Sequence, residues 1–517
     1  MLHLAQVHHK GKSAHSSAHL VSIFLGKRIL PVSVIVFIGL GAWYYLPDLL
    51  LSQPFGLHYI RQTDSLAFVE YFSLGKGNLL QPGTLDLNTG PDEGRTAGEF
   101  PIMYWLASVI DQACGRSTNS LRLLNFLLVV VGHAFFVQGV FKLTGRALLA
   151  LGIGCCLWGS SVVAYYSCNF LPDAAAYGLA LAGWGVFIST IASNGPQLNF
   201  PVAIALTLAG LIKATASMHL IAIGATCLFL SSRKPGLSLR DWKRSAIMLA
   251  LGLATIATWH FWVIQYNSLH QAKYFLTSAA PIWSLSDERI AIIIDLIVRH
   301  WWTDYLHPSM WHALAIILLV ALIRFRHVSE AVMTGIVLMS AGSTAFLLLF
   351  FEKFADHDYY ALHMMPLVGL LLLGGGQAIL SYNRAWVTTG LLMGLWGLAI
   401  ASISLAHHDL GRRNRSKPDS YSRTGQLLME YDESREALPT SAKVVVLGDN
   451  TPNGALSRIR RQGWSFPGYP LPKAPDLQDL IRQGATHVLV LSPESAPDVP
   501  MKELVNSPGY SLWEITR

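Results

Sequence analysis

Apolar runs of about 20 residues recur along this chain from residue 29 to residue 406. A helix needs about 20 apolar residues to cross the roughly 30 Å of hydrocarbon in a bilayer. Only 13% of the 517 residues are charged and the mean hydropathy is +0.40, so too little charge remains to cover a soluble protein of this length. We predict a polytopic α-helical membrane protein with about eleven spans, at 29–47, 121–141, 148–168, 173–192, 198–212, 215–232, 245–264, 306–323, 331–350, 361–380 and 386–406.

Basic residues in the short loops set the predicted orientation. Lys27 and Arg28 come directly before the first span, and short loops rich in lysine and arginine lie on the cytoplasmic side of a membrane. Residues 1–28 are therefore predicted as a cytoplasmic tail, and two long loops, 48–120 and 265–305, fall on the outer side. The net charge of +7 then belongs to loops near a membrane surface, and no basic patch with interleaved aromatic residues predicts binding to nucleic acid.

The chain changes character after residue 406. Residues 407–423 are hydrophilic, which suits a linker. An apolar run at 443–449, a helical stretch at 476–484 and a second apolar run at 487–492 follow, and this order of strand, helix and strand is typical of a small α/β domain. The predicted organisation is thus a tail at 1–28, a transmembrane domain at 29–406 and an α/β domain at 407–517, which an odd number of spans leaves outside.

Ionisable residues lie between the apolar segments, where a membrane protein keeps them for a function or beside a partner. A lysine at the middle of a bilayer costs about 2.5–3.5 kcal/mol, so Lys213 is expected at an interface, in a cavity or beside an anion, and snorkelling to the surface also satisfies it. Asp173 suits a plain helix start as well as a site. On the predicted topology these two residues and the turn at 356–360 share the outer side with four charged groups of the first loop, and together they predict one polar cavity. The loop residues are Arg61, Asp64, Arg95 and Glu99.

The same positions carry a resemblance to a known family. The matching landmarks are Arg61-Gln62-Thr63-Asp64, Gly98-Glu99-Phe100-Pro101, Leu171-Pro172-Asp173, Ile212-Lys213 and His357-Asp358-Tyr359-Tyr360. At these residues the chain resembles the membrane-embedded glycosyltransferases of the GT-C fold, and in particular the bacterial family 39/83 branch with the lipid A aminoarabinose transferases and relatives of the protein O-mannosyltransferases. That family often has an acidic pair at the first landmark, whereas here Asp64 is followed by Ser65. A second carboxylate would then come from Glu99 or another loop residue.

The resemblance implies an inverting transfer of sugar from a polyprenyl-phosphate carrier to a hydroxyl acceptor, which could be a glycan, lipid A, another lipid or a protein. It also implies a protein of the bacterial inner membrane whose small C-terminal α/β domain is periplasmic. In that setting Asp64 would act as catalytic base, a role worth on the order of 10²–10⁴-fold in rate, with Glu99 as second catalytic carboxylate. Arg61, Arg95 and Lys213 would bind the donor phosphate. The implied substrate contacts are Asp173, His357, Asp358, Tyr359 and Tyr360.

A divalent metal ion is the one cofactor that the resemblance suggests, since some relatives hold such an ion with a glutamate, a histidine and a tyrosine. Glu99 would be the glutamate, and Tyr359 or Tyr360 the tyrosine. The sequence does not distinguish three histidines as the third ligand. They are His270, His300 and His307.

Two other functions remain as alternatives at this stage. A transporter or flippase of lipid-linked sugars would place charges on both membrane faces and show repeat symmetry, whereas here the polar groups gather on one predicted face. A polymerase or ligase that uses lipid-diphosphate donors is the other alternative. The partners expected in every case are a polyprenyl-linked sugar and membrane lipids.

Overall fold

The computed structural model describes residues 28–44, 46–50, 52–114, 120–193, 195–233, 239–273, 279–415, 438–467, 477–491, 500–507 and 509–516. The predicted tail at 1–28 thus lies almost entirely outside the described residues, as does much of the predicted linker. Helices make up most of the described chain from residue 29 to residue 415, and a small sheet domain follows them. The predicted fold class, a helical membrane protein with a C-terminal α/β domain, is confirmed.

The helices follow the apolar runs of the sequence. The first group comprises α1 (Ile29–Trp43), α2 (Leu46–Leu50), α3 (Tyr59–Ser73), α4 (Ile102–Ala113), α5 (Ser120–Thr144), α6 (Ala147–Trp158), α7 (Ser161–Ser167), α8 (Asp173–Ser193) and α9 (Phe200–Ile212). The second group comprises α10 (Ser217–Arg233), α11 (Leu239–Leu269), α12 (Asp287–Leu296), α13 (Trp302–Tyr305), α14 (Pro308–Ile323), α15 (Glu330–Leu349), α16 (Met365–Leu380) and α17 (Ala385–Arg415). Short 3₁₀ segments at 351–355 and 358–364 connect α15 to α16.

Among the described residues, seven helices are long and apolar enough to cross a membrane, and up to nine if each of two bent pairs forms one span. In the bent pairs, α6 and α7 meet at 78°, and the segment 287–305 meets α14 at 86°. Two shorter apolar helices, α1 and α9, coincide with predicted spans. The protein is therefore a multi-pass membrane protein, and the count of about eleven spans stays a prediction.

Glycines let α5 and α8 pack with their backbones in close approach. A Cβ atom at Gly178 would lie 2.5 Å from the carbonyl oxygen of Leu128, and one at Gly185 would lie 2.3 Å from that of Phe135. Gly132 and Gly139 of α5 make the reciprocal approaches to α8. Small residues at such crossings let transmembrane helices pack closely in the absence of a hydrophobic driving force, which accounts for the close approach of α5 and α8.

The C-terminal domain is a five-stranded sheet with the order β2-β1-β3-β5-β4. Strands β1 and β3 take the two predicted apolar runs, and β1 pairs in parallel with both β2 and β3. Antiparallel pairing joins β3 to β5 and β5 to β4. The elements are β1 (Lys443–Leu447), α18 (Gly454–Ile459), β2 (Gln462–Phe466), α19 (Leu477–Arg482), β3 (His487–Val490), β4 (Met501–Ser507) and β5 (Tyr510–Ile515).

The first outer loop extends this sheet beyond β2. Leu87 donates its backbone N–H to the carbonyl of Gly463 at 2.7 Å, and Gly463 donates to that of Leu85 at 3.1 Å. The Asp86 carboxylate between them is buried and accepts the N–H of Ser465 at 3.2 Å. Burial raises the pKa of this carboxyl to about 7 despite those hydrogen bonds. The outer loop and the C-terminal domain are thus joined by a shared sheet edge.

The boundary predicted at residue 407 is wrong, because α17 continues in helical form to Arg415. Its last turns are not a linker surface. Arg413 is fully buried, with Nη2 2.7 Å from Oδ2 of Asp304 and Nη1 2.7 Å from Oδ2 of Asp358. Arg412 also pairs with Asp304. The basic residues that made this segment look hydrophilic therefore hold α17 against α13 and the turn before α16.

Candidate active site

A cavity of about 390 Å³ lies where the first outer loop meets the ends of α9 and α11 and the turn before α16. Its walls include Leu211, Val263 and Phe350 as apolar groups. Helix α3, the loop before α4 and the junction of α9 with α10 each contribute charged or polar side chains. These polar groups are Arg61, Glu99, Lys213, His260, Lys353, His357, Tyr359 and Tyr360.

Arg61 and Glu99 form an ion pair on the cavity wall. Nη2 of Arg61 lies 2.6 Å from Oε1 of Glu99, and the hydroxyl of Tyr104 donates to the same oxygen at 2.5 Å. Burial alone would raise the pKa of Glu99, but the positive charge of Arg61, assisted by Lys213, outweighs it and lowers that pKa below its usual range. Glu99 is therefore an ionised carboxylate whose main role in this geometry is to hold the guanidinium in place.

Lys213, another cation of the cavity, is held in place by a carboxylate and two tyrosine rings. It caps the C-terminal end of α9, and its Nζ lies 2.8 Å from Oδ1 of Asp173. The same ammonium lies 5.3 Å from the ring centroid of Tyr359 and 5.2 Å from that of Tyr360, within reach of a cation–π attraction. Asp173 itself is fully buried at the start of α8 and does not line the cavity. In this geometry it positions Lys213, and its role as a substrate contact stays a prediction.

Two cavity residues were missed by the sequence interpretation. Lys353 lines the cavity, and its ammonium has no carboxylate within ion-pair distance in the part of the chain that the structure describes. His260 lies inside α11 and also lines the cavity. The signal for Lys353 was a cation in a short outer loop, and the signal for His260 was an ionisable ring inside an apolar run.

A longer apolar groove of about 1290 Å³ runs between α9 and α11. Leu211 lines both this groove and the cavity, so the two share a wall residue at the C-terminal end of α9. Apolar side chains such as Ile204, Ile247 and Leu251 form most of its walls. Its far end, at the start of α11, carries three basic residues, Arg240, Lys243 and Arg244.

Three solved structures share this architecture. ArnT from Cupriavidus metallidurans bound to undecaprenyl phosphate superposes with a TM-score of 0.62 at 12% identity, covering 93% of this chain and 97% of that one. The apo state of the same protein gives 0.59 at 13% identity with the same coverage. The apo oligosaccharyltransferase of Archaeoglobus fulgidus gives 0.54 at 10% identity, covering 90% of this chain and 69% of that one. This chain has the GT-C fold. No protein-family model and no curated protein matches its sequence.

Within this GT-C fold, Asp64 lies away from the cavity. The side chain is buried, and its Oδ1 accepts a hydrogen bond from Nδ2 of Asn453 at 2.9 Å. Oδ1 of Asn453 in turn accepts from the hydroxyl of Thr84 at 2.8 Å and from the backbone N–H of Asp86 at 3.1 Å. The structure therefore does not bring Asp64 to this cavity, because Asn453 of the C-terminal domain lies in front of its carboxylate, and its role as catalytic base stays a prediction.

Two further predicted site residues are also placed elsewhere. Oδ1 of Asp358 accepts from the hydroxyl of Tyr166 at 2.6 Å and lies 2.9 Å from Nε2 of His58, so this buried carboxylate is held by groups of the protein and does not line the cavity. Arg95 lies outside the cavity, and its guanidinium nitrogens lie 3.6 Å from the carboxylate of Asp92 and 3.8 Å from that of Glu93. It is therefore not brought to the other predicted phosphate ligands.

The predicted metal ligands do not assemble into a set. Glu99 and Tyr359 line the same cavity, but His270 pairs with Asp92 at 2.5 Å, and neither His300 nor His307 lines the cavity. Across the described ranges, no group of three or more histidine, cysteine, aspartate or glutamate side chains could hold a metal ion. Glu99 already accepts from Arg61 and Tyr104 through one oxygen. Two histidines that were not predicted as the third ligand, His260 and His357, do line the same cavity as Glu99 and Tyr359, so a divalent ion at this site stays a prediction.

Proposed function

We propose that this protein is an inverting glycosyltransferase that moves a sugar from a polyprenyl-phosphate carrier to a hydroxyl acceptor at the outer face of the bacterial inner membrane. The observation that carries the proposal is the convergence of three cations on one cavity that shares the wall residue Leu211 with a long apolar groove. The cations are Arg61, Lys213 and Lys353. One of the similar solved structures is ArnT bound to undecaprenyl phosphate, and this likeness supports the same class of donor.

The charge balance of the cavity suits a lipid phosphate. Glu99 compensates Arg61, and Asp173 compensates Lys213, so the positive charge of Lys353 remains for a ligand. A sugar linked to a lipid through a phosphodiester carries one negative charge, and the departing lipid phosphate gains more as the glycosidic bond breaks. Fixed cations at that position stabilise the transition state more than the ground state, which is how a preorganised site accelerates such a reaction.

The groove between α9 and α11 offers a path for the polyprenyl chain. Its lining extends along α11 from Leu239 to Thr255, a rise of about 24 Å at 1.5 Å per residue. Leu211 stands where the groove meets the cavity, so a chain lying in the groove would bring its phosphate to the cations. Apolar chain burial also contributes affinity, at about 0.8 kcal/mol per buried methylene group.

Binding of undecaprenyl phosphate to the purified full-length protein tests this proposal. A charged hydrogen bond is worth about 1.5–3 kcal/mol, which corresponds to roughly a 10- to 150-fold weaker Kd when Lys353→Ala removes it. Arg95→Ala serves as the matched control, because it removes a cation of the first outer loop whose side chain lies outside the cavity. Equal affinities for the two variants would contradict the assignment of the cavity to the lipid phosphate.

The groove also favours a second candidate, a flippase for a lipid-linked sugar. It runs from the outer cavity to the basic residues Arg240, Lys243 and Arg244 at the predicted cytoplasmic end. A flippase needs two compartments, whereas a transferase works in detergent micelles. Release of undecaprenyl phosphate from a lipid-linked sugar by the detergent-purified protein supports the transferase, and movement of the intact lipid-linked sugar across a vesicle without cleavage supports the flippase.

A further inference from the structure

The side chain of His260 lines the cavity, and its hydrogen bonding indicates which ring nitrogen carries the lone pair. Its Nδ1 lies 2.9 Å from the backbone carbonyl oxygen of Ile256, one turn earlier in α11. A carbonyl oxygen only accepts hydrogen bonds, so in the neutral ring Nδ1 carries the hydrogen and Nε2 carries the lone pair. No hydrogen bond to Nε2 occurs among the described residues, and the side chain lines the cavity. The ring therefore offers the cavity an unoccupied acceptor.

The position of His260 is fixed relative to the ion pair on the cavity wall. The indole N–H of its neighbour Trp259 donates to the backbone carbonyl of Gly98 at 3.2 Å, directly before Glu99. The Trp259 ring also packs edge-on against Phe100 at 4.9 Å between centroids. These contacts dock α11 against the loop that holds Glu99. His260 lies 21 residues after the start of α11, about 32 Å along the axis, at the outer end of a helix that crosses about 30 Å of hydrocarbon.

The charged groups Glu99, Arg61 and Lys213 are poorly suited to take a proton from an alcohol, and the second histidine of the lining, His357, has its Nδ1 paired with the adjacent carboxylate of Asp356. Glu99 is the one carboxylate among the described residues that line it, and its Oε1 already accepts from Arg61 and Tyr104. Those same donors lower the pKa of Glu99, and a base becomes less effective as its pKa falls away from the working pH. Lys213 and Arg61 are cations held by carboxylates and have no lone pair to offer.

We propose that His260 is the proton acceptor of the reaction, an inference that rests on the proposed function. The acceptor oxygen forms its bond to the anomeric carbon while Nε2 of His260 takes the hydroxyl proton. The bond from the anomeric carbon to the carrier phosphate breaks, and its electron pair leaves on the phosphate oxygen beside the cations. The imidazolium then returns its proton to water, so the ring is regenerated and no further reactant is required.

Full-length protein in membranes that contain its own lipid-linked sugar provides the assay, with released undecaprenyl phosphate quantified by mass spectrometry. His260→Ala is expected to lower the release rate about 10²–10⁴-fold and to leave the Kd for undecaprenyl phosphate within about threefold. Added imidazole is expected to restore part of the rate, because the shortened side chain leaves room beside an open cavity. His312→Ala is the matched control, since Nδ1 of His312 makes the same bond to a carbonyl four residues earlier but its ring is exposed and outside the cavity.

Each result separates the inference from the function on which it rests. A His260→Ala variant that releases carrier at the wild-type rate overturns the inference, and so does a slow variant that imidazole does not restore, because a structural role behaves in that way. Loss of undecaprenyl phosphate binding in this variant would make His260 a carrier ligand instead of the base. Wild-type membranes that release no carrier at all would overturn the proposed function itself.

Discussion

The hydrogen bond between Asp64 and Asn453 allows a sharp test of whether Asp64 is a catalytic base or a docking residue. Asn453 makes one hydrogen bond to the Asp64 carboxylate and two to neutral groups of the outer loop, Thr84 and the backbone of Asp86. A bond to a charged group contributes about 1.5–3 kcal/mol and a neutral one about 0.5–1.5 kcal/mol. Asn453→Ala is therefore expected to lower the free energy of opening at this interface by about 2.5–6 kcal/mol.

Asp64→Asn is a milder change at this hydrogen bond, because the amide oxygen still accepts from Asn453. We expect it to lower the free energy of opening by about 1 kcal/mol, with a coupling of about 1–3 kcal/mol in a double-mutant cycle of the two positions. Hydrogen exchange of residues 83–96 and 462–466 in the detergent-purified protein measures this opening directly. Asp92→Asn, an exposed carboxylate of the same loop, is the control and should change the opening by less than 1 kcal/mol.

The same Asp64→Asn protein is then assayed for release of undecaprenyl phosphate. If Asp64 only docks the C-terminal domain, the rate should stay within about tenfold of the wild type. Loss of a general base would lower it by about 10²–10⁴-fold. A loss of that size together with unchanged hydrogen exchange would refute the docking interpretation and return Asp64 to the reaction.

Three other perturbations follow from the described geometry. Burial raises the pKa of Asp86 to about 7, so the contribution of this carboxyl to stability is complete below about pH 4 and is lost as the pH rises through 7. Thermal melts should therefore show a Tm that falls from pH 5 to pH 8. The fall should be smaller in the Asp86→Asn variant. Gly185→Ala should lower the free energy of unfolding, measured by urea titration in detergent, by about 1–3 kcal/mol, because the added methyl group pushes its helix away from the facing backbone. Gly390→Ala should leave that free energy unchanged, because a Cβ atom there would have no other atom within 4 Å. Arg413→Met should cost about 3–5 kcal/mol in the same titration, because it leaves the buried carboxylate of Asp358 without its guanidinium.

Local sequence was enough to predict the fold and part of the site. The length of the apolar runs gave the helices, since the thickness of a bilayer leaves few alternatives for such segments. Arg61, Glu99 and Lys213 were predicted as site residues, and they line one cavity. Each is an ionisable group at the end of an apolar segment, where burial without a purpose is unfavourable.

The errors come from partners that are distant in the sequence. Asp64 looked catalytic because its partner Asn453 lies 389 residues away in another domain. Asp358 and Tyr359 are neighbours on one turn, yet only the tyrosine faces the cavity, because Asp358 is held by an arginine in a segment that resembled a linker. His260 was passed over because a single histidine hardly changes the hydropathy of a long apolar helix.

The shared sheet edge has a consequence for biosynthesis. Asn88 of the first outer loop bonds to the carbonyl of Ser465, 377 residues later in the chain. At about 5–20 residues per second, translation delivers strand β2 roughly 20–75 s after that loop has emerged. During this interval the loop that carries Arg61 and Glu99 lacks the strand that pairs with its edge, so newly made protein should complete this shared sheet edge only after strand β2 has been synthesised and folded.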